Sequence, residues 1–332
     1  MGALHRAAVV VKGPLLPFTR SLLLFYLDQL FHAQPHVSVV FSHHNASACA
    51  DTTAFLEHLR STRPHAFAYV LATPPPRQGF GYRNVQREAV ANGVELAVRR
   101  WGVGYILVQR PDSAFQDART LSALSTLTEG VGARYAGDAE WGPIGFCPFQ
   151  TQLVDTYGPF HMDDHCMFGR SAAVAKYWSL HNPFYRRAEP ASTSFPDGWR
   201  TRGCPVPGPE SENGNLWIQW AASEGLPPPE NTLALLRSRA FVINPKAWRY
   251  ISLRNHPARI KNLSMPLSPR MYGFRTSSPF TALRLCEEQS EVFDCANISR
   301  DLSIDPRATP AWPCTDPDVV GAGKWSGICT MA

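Results

Sequence analysis

The chain has 332 residues, 44% of them hydrophobic and 18% charged, with a formal net charge of +5. That length and apolar content suit one large globular domain or two smaller ones and exclude a disordered chain. The charge is mild and not gathered into one run, and no zinc-finger, RRM or double-stranded-RNA signature is present. Nucleic acid is therefore not an expected partner, while an anionic substrate or peripheral contact with a membrane surface stays open.

Taken in chain order, Ala7-Ala8-Val9-Val10-Val11 is an apolar run closed by Lys12-Gly13-Pro14, which reads as a first strand. Leu22, Leu23, Phe25, Tyr26, Leu30 and Phe31 suit a helix, with Thr19 or Ser21 as its cap. A second strand over residues 37–41 gives way to the polar Ser42-His43-His44-Asn45. A helix around 52–59 and a third strand at 67–71 follow. Val85, Ala89, Gly93, Leu96 and Ala97 share one helical face, on which Gly93 is small enough for close packing against a sheet. Tyr105-Ile106-Leu107-Val108 then reads as a buried strand that Pro111 prevents from continuing. Strands alternating with helices imply parallel βαβ units, so the fold class is α/β with a mostly parallel sheet flanked by helices. A carboxylate such as Asp112, at the carboxyl end of such a strand, stands where open α/β sheets bind ligands.

Beyond Asp112, residues 118–127 read as helix, 137–145 as loop, and 160–170 as a strand leading into a helix over 171–178. Residues 182–209, rich in Pro, Gly, Ser and Arg, read as a long loop and a candidate lid. A helical pattern over 215–223 ends at Leu226-Pro227-Pro228-Pro229, and 235–243 reads as a helix end plus a strand. The segment 265–332 shows no periodicity and is taken as an irregular C-terminal extension.

No run approaches the roughly 18 apolar residues that a membrane span needs, and the N-terminus offers a strand in place of a signal peptide. A soluble chain is expected, cytoplasmic as it stands, or in the Golgi or secretory lumen if an anchor precedes it. Cys286, Cys295, Cys314 and Cys329 crowd the tail, and Asn45-Ala46-Ser47, Asn262-Leu263-Ser264 and Asn297-Ile298-Ser299 are glycosylation sequons. Both would suit a lumen, with the disulfide pairing open.

Several blocks in this order resemble the WavE lipopolysaccharide-synthesis family: VVVKGPL (9–15), VSVVFS (37–42), NVQREAVANGVELA (84–97), YILVQRPD (105–112), FHMDDHCMFGRS (160–171) and, loosely, ESENGNLW (210–217). The coverage is roughly residues 7–250, and the 84–112 block and the Phe-His-x-x-Asp…Phe-Gly block are the specific parts. The resemblance implies a Rossmann-like GT-A nucleotide-diphospho-sugar transferase fold. It would occupy 1–264, with a donor half about 1–115 and an acceptor half about 116–264. It implies a glycosyltransferase that moves a sugar from a nucleotide-sugar donor to a glycan or lipid-linked saccharide acceptor. Where the family has Arg-Ser/Thr-Asp this chain has Arg110-Pro111-Asp112, and the family's Pro-Glu motif falls at altered spacing on Glu210 or Glu212.

The leaving nucleoside diphosphate concentrates negative charge, so such a site needs a divalent cation or fixed cationic donors. Asp112 is the candidate ligand for Mn²⁺ or Mg²⁺, with Arg110 standing where the plan's first Asp would be and able to take part of the metal's role. Lys12 and Gly13 fall at the nucleotide edge, and Asn84 and Arg87 could reach the ribose or diphosphate. Asn84 reads equally well as a helix cap and Arg87 as a solvated first-turn residue. Inverting displacement needs a carboxylate to take the acceptor's proton, for which Glu212 and Glu210 are the candidates. Asp163 or Asp164 would contact the acceptor hydroxyl. His161, Asp163 and His165 share a face if extended but lack structural-zinc spacing, and a lone His256 could add a metal ligand. Trp217, Trp220, Trp248 and Tyr250 could form a sugar platform, though the helical spacing of Trp217 and Trp220 favours core. Two rival readings are a sugar nucleotidyltransferase and a non-catalytic glycan- or nucleotide-sugar-binding protein of the same fold.

Overall fold

In the computed structural model the described residues are 6–15, 20, 23–24, 27, 37–44, 50–76, 83–111, 113–115, 121, 124–125, 128, 144–146, 166–183, 185, 216, 219–220, 222–224, 240–242 and 250–252. The expectations for 265–332, for most of the 182–209 loop and for the three sequons lie outside them.

Strands β1 (Ala7–Lys12) and β2 (Val37–His44) are buried along their whole length. A strand buried on both faces of a parallel sheet tends to read as an unbroken apolar run, as β1 does through Val11, whereas β2 takes Ser38, Ser42, His43 and His44 into the interior. Helix α1 (Ala50–Thr62) buries Thr52, Leu56 and Leu59, one stripe at helical spacing, and packs on β3 (Phe67–Ala72). It stops where Arg63 and Pro64 follow, a proline being unable to donate the next helical hydrogen bond. Helix α2 (Arg83–Trp101) crosses back over β2, β1 and β3 and feeds β4 (Tyr105–Gln109). Its close seat depends on Gly93, where a Cβ would lie 2.7 Å from Val10 Cγ1 and 2.9 Å from Ser42 Cβ.

The main sheet has seven strands in the order β3-β2-β1-β4-β7-β6-β8, with β6 at Ile144–Phe146, β7 at Cys166–Arg170 and β8 at Ala240–Val242. β1, β2, β3 and β4 pair in parallel, β7 runs antiparallel to both β4 and β6, and β8 is parallel to β6. The mostly parallel α/β class is as expected. Helix α3 (Ser171–Tyr177) follows β7 and packs against α2, β7 and β4. A second, two-stranded antiparallel sheet joins β5 (Ser113–Phe115) to β9 (Tyr250–Ser252).

Three boundaries differ from the sequence expectation. β2 runs on through Ser42, His43 and His44 because α2 receives two of these side chains: Ser42 Oγ donates to the Ala89 carbonyl (2.5 Å) and His44 Nε2 to that of Val85 (2.6 Å), while His43 Nε2 is buried without a hydrogen-bond partner among the described residues. The stretch read as loop up to residue 145 already contains the start of β6, a strand whose partners lie far away in sequence. The 250–252 strand pairs with residues just past Asp112 and was not foreseen. Among the described residues no helix is long and apolar enough to cross a membrane.

Candidate functional site

The strand order marks a candidate ligand site. From β1 the chain moves to β2 and β3 on one side and then returns to β4 on the other, so the order reverses between β1 and β4. At such a switch point neighbouring crossovers part and leave a crevice outside the carboxyl ends of the strands. The residues at those ends are Lys12-Gly13-Pro14 and Arg110-Pro111, from two blocks singled out in the sequence.

Gly13 has φ +112°, a conformation that L side chains rarely adopt, and its N–H donates to the Ser42 carbonyl (3.3 Å). A Cβ there would meet Pro111 Cδ at 3.5 Å, an ordinary contact, so the backbone conformation and not space demands the glycine. Pro111 is the corner of a turn in which the Ser113 N–H donates to the Arg110 carbonyl (3.2 Å), and Gln109 Nε2 donates to the Ser113 carbonyl (3.0 Å). Proline suits the second position of such a turn because its φ is preset. Asp112 itself lies outside the described residues, although its neighbours Pro111 and Ser113 are buried at this edge.

Lys12 is only 4% exposed; its Nζ donates to Gln86 Oε1 (3.1 Å) and stands 5.1 Å from the centre of a Trp178 ring. Asn84 is buried and is the second residue of α2, so it is not the cap that the sequence allowed. Arg87 is 1% exposed, which overturns the solvated reading. None of its three side-chain nitrogens has a hydrogen-bond partner among the described residues, and its guanidinium lies 5.0 Å from the Tyr185 ring centre. Burial pushes its pKa down to about 10, against the opposing influence of Tyr177 and Tyr185. A desolvated cation–π contact contributes about 2 kcal/mol, whereas removing a charge from water costs several. The rings alone do not offset the burial.

Two imidazoles at the end of β2 complete this edge. The Val85 carbonyl can only accept, so His44 carries its proton on Nε2 and leaves Nδ1 buried without a partner among the described residues. His43 is pushed down to about 4, first by burial and then by His44. On the β3 flank, Val70, Ala72, Thr73, Glu88, Asn92, Leu180 and Tyr185 line a hollow of about 490 Å³, into which the Tyr185 hydroxyl donates to Glu88 (2.6 Å).

The structure thus brings Lys12, Gly13, Asn84, Arg87 and Arg110 to one edge of the sheet. Asp163, Asp164, Glu210, Glu212, His161, His165, His256, Trp217 and Trp248 lie outside the described residues. β7 is antiparallel, so its first residue, Cys166, sits beside Gln109 at that same edge. Trp220 is buried core, as its spacing suggested, and Tyr250 belongs to the small sheet. Gln86, Trp178, Tyr185 and the two histidines were missed. Their proximity to the crevice comes from contacts across dozens of residues that no local pattern carries.

Cationic side chains at the switch point of an open α/β sheet are suited to an anionic ligand at the strand ends. No protein-family model matches the chain, and no curated protein does, so the WavE resemblance stands on the motifs quoted above alone. Solved structures that it superposes on loosely include three enzymes. One is the mannosyltransferase PcManGT from Pyrobaculum calidifontis in complex with GDP-Man and Mn²⁺ (13% identity, 92% of this chain and 78% of that one, TM-score 0.34). The second is the galactosyltransferase LgtC with donor and acceptor sugar analogues (9%, 90% and 97%, 0.34). The third is a putative glucose-1-phosphate thymidylyltransferase from Bacillus anthracis in complex with a sucrose (9%, 80% and 98%, 0.37). Scores this low leave the architecture resting on the strand order and pairing described above.

Proposed function

We propose that this chain is a GT-A-like glycosyltransferase, which moves a sugar from a nucleotide-sugar donor to a glycan or lipid-linked saccharide acceptor. The observation that carries the reading is the switch point between β1 and β4, with Lys12-Gly13 on one lip and Arg110-Pro111 on the other. Gly13 lets backbone approach the donor, and Lys12 and Arg110 meet the charge that gathers on the diphosphate as it leaves. Asn84 and Arg87, on the helix above, are proposed to face the ribose or diphosphate.

A divalent ion would neutralise the leaving diphosphate. Among the described residues no group of three or more His, Cys, Asp or Glu side chains could hold one, so Mn²⁺ or Mg²⁺ rests on Asp112. The start of β7 at the same edge supports Asp163 or Asp164 as the acceptor contact, since the two are three and two residues before Cys166. In direct displacement Glu212 or Glu210 takes the proton of the acceptor hydroxyl. That oxygen then bonds to the anomeric carbon, and the diphosphate departs with the electron pair of the broken bond. Configuration inverts.

The test is transfer to a saccharide acceptor, with the product's anomeric configuration read by NMR. An inverted product, with transfer lost in Glu212→Gln or Glu210→Gln, supports the mechanism, and a product of retained configuration overturns it. The rival reading of a non-catalytic binder draws on Arg110 standing in place of a carboxylate. Donor binding with no transfer to any acceptor would establish it.

A further inference from the structure

The fold gathers positive charge that is scattered along the chain. The amino-terminal ends of the strands, opposite the crevice, receive arginines from four separate segments. Arg6 stands immediately before β1, and its carbonyl accepts from the N–H groups of Gly104 and Tyr105 at the start of β4 (2.9 and 3.3 Å). Arg63 follows α1 on the turn into β3, where its carbonyl accepts from the Phe67 N–H (2.9 Å). Arg99 and Arg100 lie in the last turn of α2, and Arg100 Nη2 donates across to the Pro64 carbonyl beside Arg63 (2.8 Å). Because β7 is antiparallel to β4, its last residue, Arg170, pairs with Tyr105 at the same end.

Arg6, Arg99 and Arg100 are exposed, and Arg63 and Arg170 are half-buried. Residues 6–8, 62–67, 94–105 and 169–172 contain a single acidic residue, Glu95, whose pairing with Arg99 is exposed and screened by solvent. Apolar surface adjoins this charge. Val98, on the same turn of α2, is one of two large hydrophobic side chains exposed among the described residues. Trp101 is half-buried and holds the Arg100 guanidinium 5.4 Å from its ring centre.

We propose that this end of the sheet docks on an anionic lipid surface. Arg6, Arg99 and Arg100 meet headgroup phosphates, Arg63 and Arg170 add to the field behind them, and Val98 and Trp101 enter the layer just beneath the headgroups. Charge alone would suit any polyanion. A bilayer is favoured because it also takes up exposed apolar side chains, and because an indole is at home where acyl chains meet headgroups. Docking this way holds the β1–β4 crevice off the lipid by the length of the strands, about 20 Å for the six residues of β1. A lipid-linked acceptor would present its saccharide at that height, a consequence that alone rests on the sugar-transfer reading.

The experiment sediments the full chain with vesicles of phosphatidylcholine alone and of phosphatidylcholine mixed with phosphatidylglycerol, over a range of salt. Binding is expected to the mixed vesicles only, and to fall as salt rises. Arg6→Gln and Arg99→Gln change exposed side chains far from the crevice. Each is expected to weaken vesicle binding about fivefold with Tm unchanged. Val98→Ser is expected to weaken it about threefold without altering the charge.

The proposal is overturned if no vesicle binds, or if phosphatidylcholine alone binds as well as the mixture. It is also overturned if Arg6→Gln and Arg99→Gln combined leave vesicle affinity unchanged. A double-stranded oligonucleotide bound as tightly as the mixed vesicles, with Val98→Ser altering neither, would make this a polynucleotide surface and exclude the lipid. Vesicle binding by a chain that transfers no sugar would leave the surface standing and remove the glycosyltransferase reading.

Discussion

Gly93→Ala is the sharpest probe of how α2 is held over the strand ends. The added methyl would sit 2.7 Å from Val10 Cγ1 and 2.9 Å from Ser42 Cβ. The first belongs to a stiff β-branched side chain in a fully buried strand, and the second is fixed to the backbone of β2, so neither can swing aside. Overpacking of this kind costs about 1–3 kcal/mol, and two contacts this close place it in the upper part of that range. Replacing glycine by alanine inside a helix returns about 1 kcal/mol. The net expectation is a loss of about 1–2 kcal/mol. It should appear in urea unfolding as a lower midpoint with an unchanged m-value. Because α2 carries Gln86 and Arg87, the lifted helix should also weaken ligand binding at the edge. A variant as stable as the parent, or more stable, would refute the packing argument, since helix propensity would then have won.

Three further outcomes follow from the same geometry. His43 is held near 4 by burial while an unfolded histidine titrates at 6.5, so the unfolded chain binds more protons between those values. Its stabilising contribution is therefore present above pH 6.5 and lost as pH falls to 4, by about 3 kcal/mol at most, and His43→Phe should flatten that part of the stability–pH curve. An unaltered slope would contradict the burial. Gly13→Ala must place a Cβ at φ +112° and should cost about 1–2 kcal/mol, measured by Tm, with a neutral result contradicting the left-handed turn. Lys176 and Glu224 pair at 2.6 Å with side chains 33% and 11% exposed, and Glu95 and Arg99 at 3.3 Å with 68% and 71% exposed. Double-mutant cycles should give about 1 kcal/mol for the first pair and a few tenths for the second, and the reverse order would contradict the screening argument.

The first half of the sheet is legible because each strand is a short apolar run ended by a turn signal: Lys12-Gly13-Pro14 after β1, Arg110-Pro111 after β4. Gly93 likewise announces a close helix–sheet seat within a helical pattern. What stays hidden depends on partners distant in sequence. Ser42 and His44 look like the polar end of a strand until the carbonyls of Ala89 and Val85 receive them. Arg87 looks like a solvated charge until Tyr177 and Tyr185, about ninety residues later, close over it. β6 and β9 are three residues each and are defined by pairing alone, so no periodicity could reveal them. Of the candidate site, the strand-end residues were readable, and the aromatic and imidazole groups around them were not.

The central claim is that the crevice between β1 and β4 binds and breaks a nucleotide sugar. Nucleotide release from a panel of sugar nucleotides, with and without Mn²⁺, by the parent chain and by Asp112→Ala tests it most directly. The account predicts release from at least one donor by the parent and its loss in the variant. Equal release by both, or no release from any donor, would contradict it.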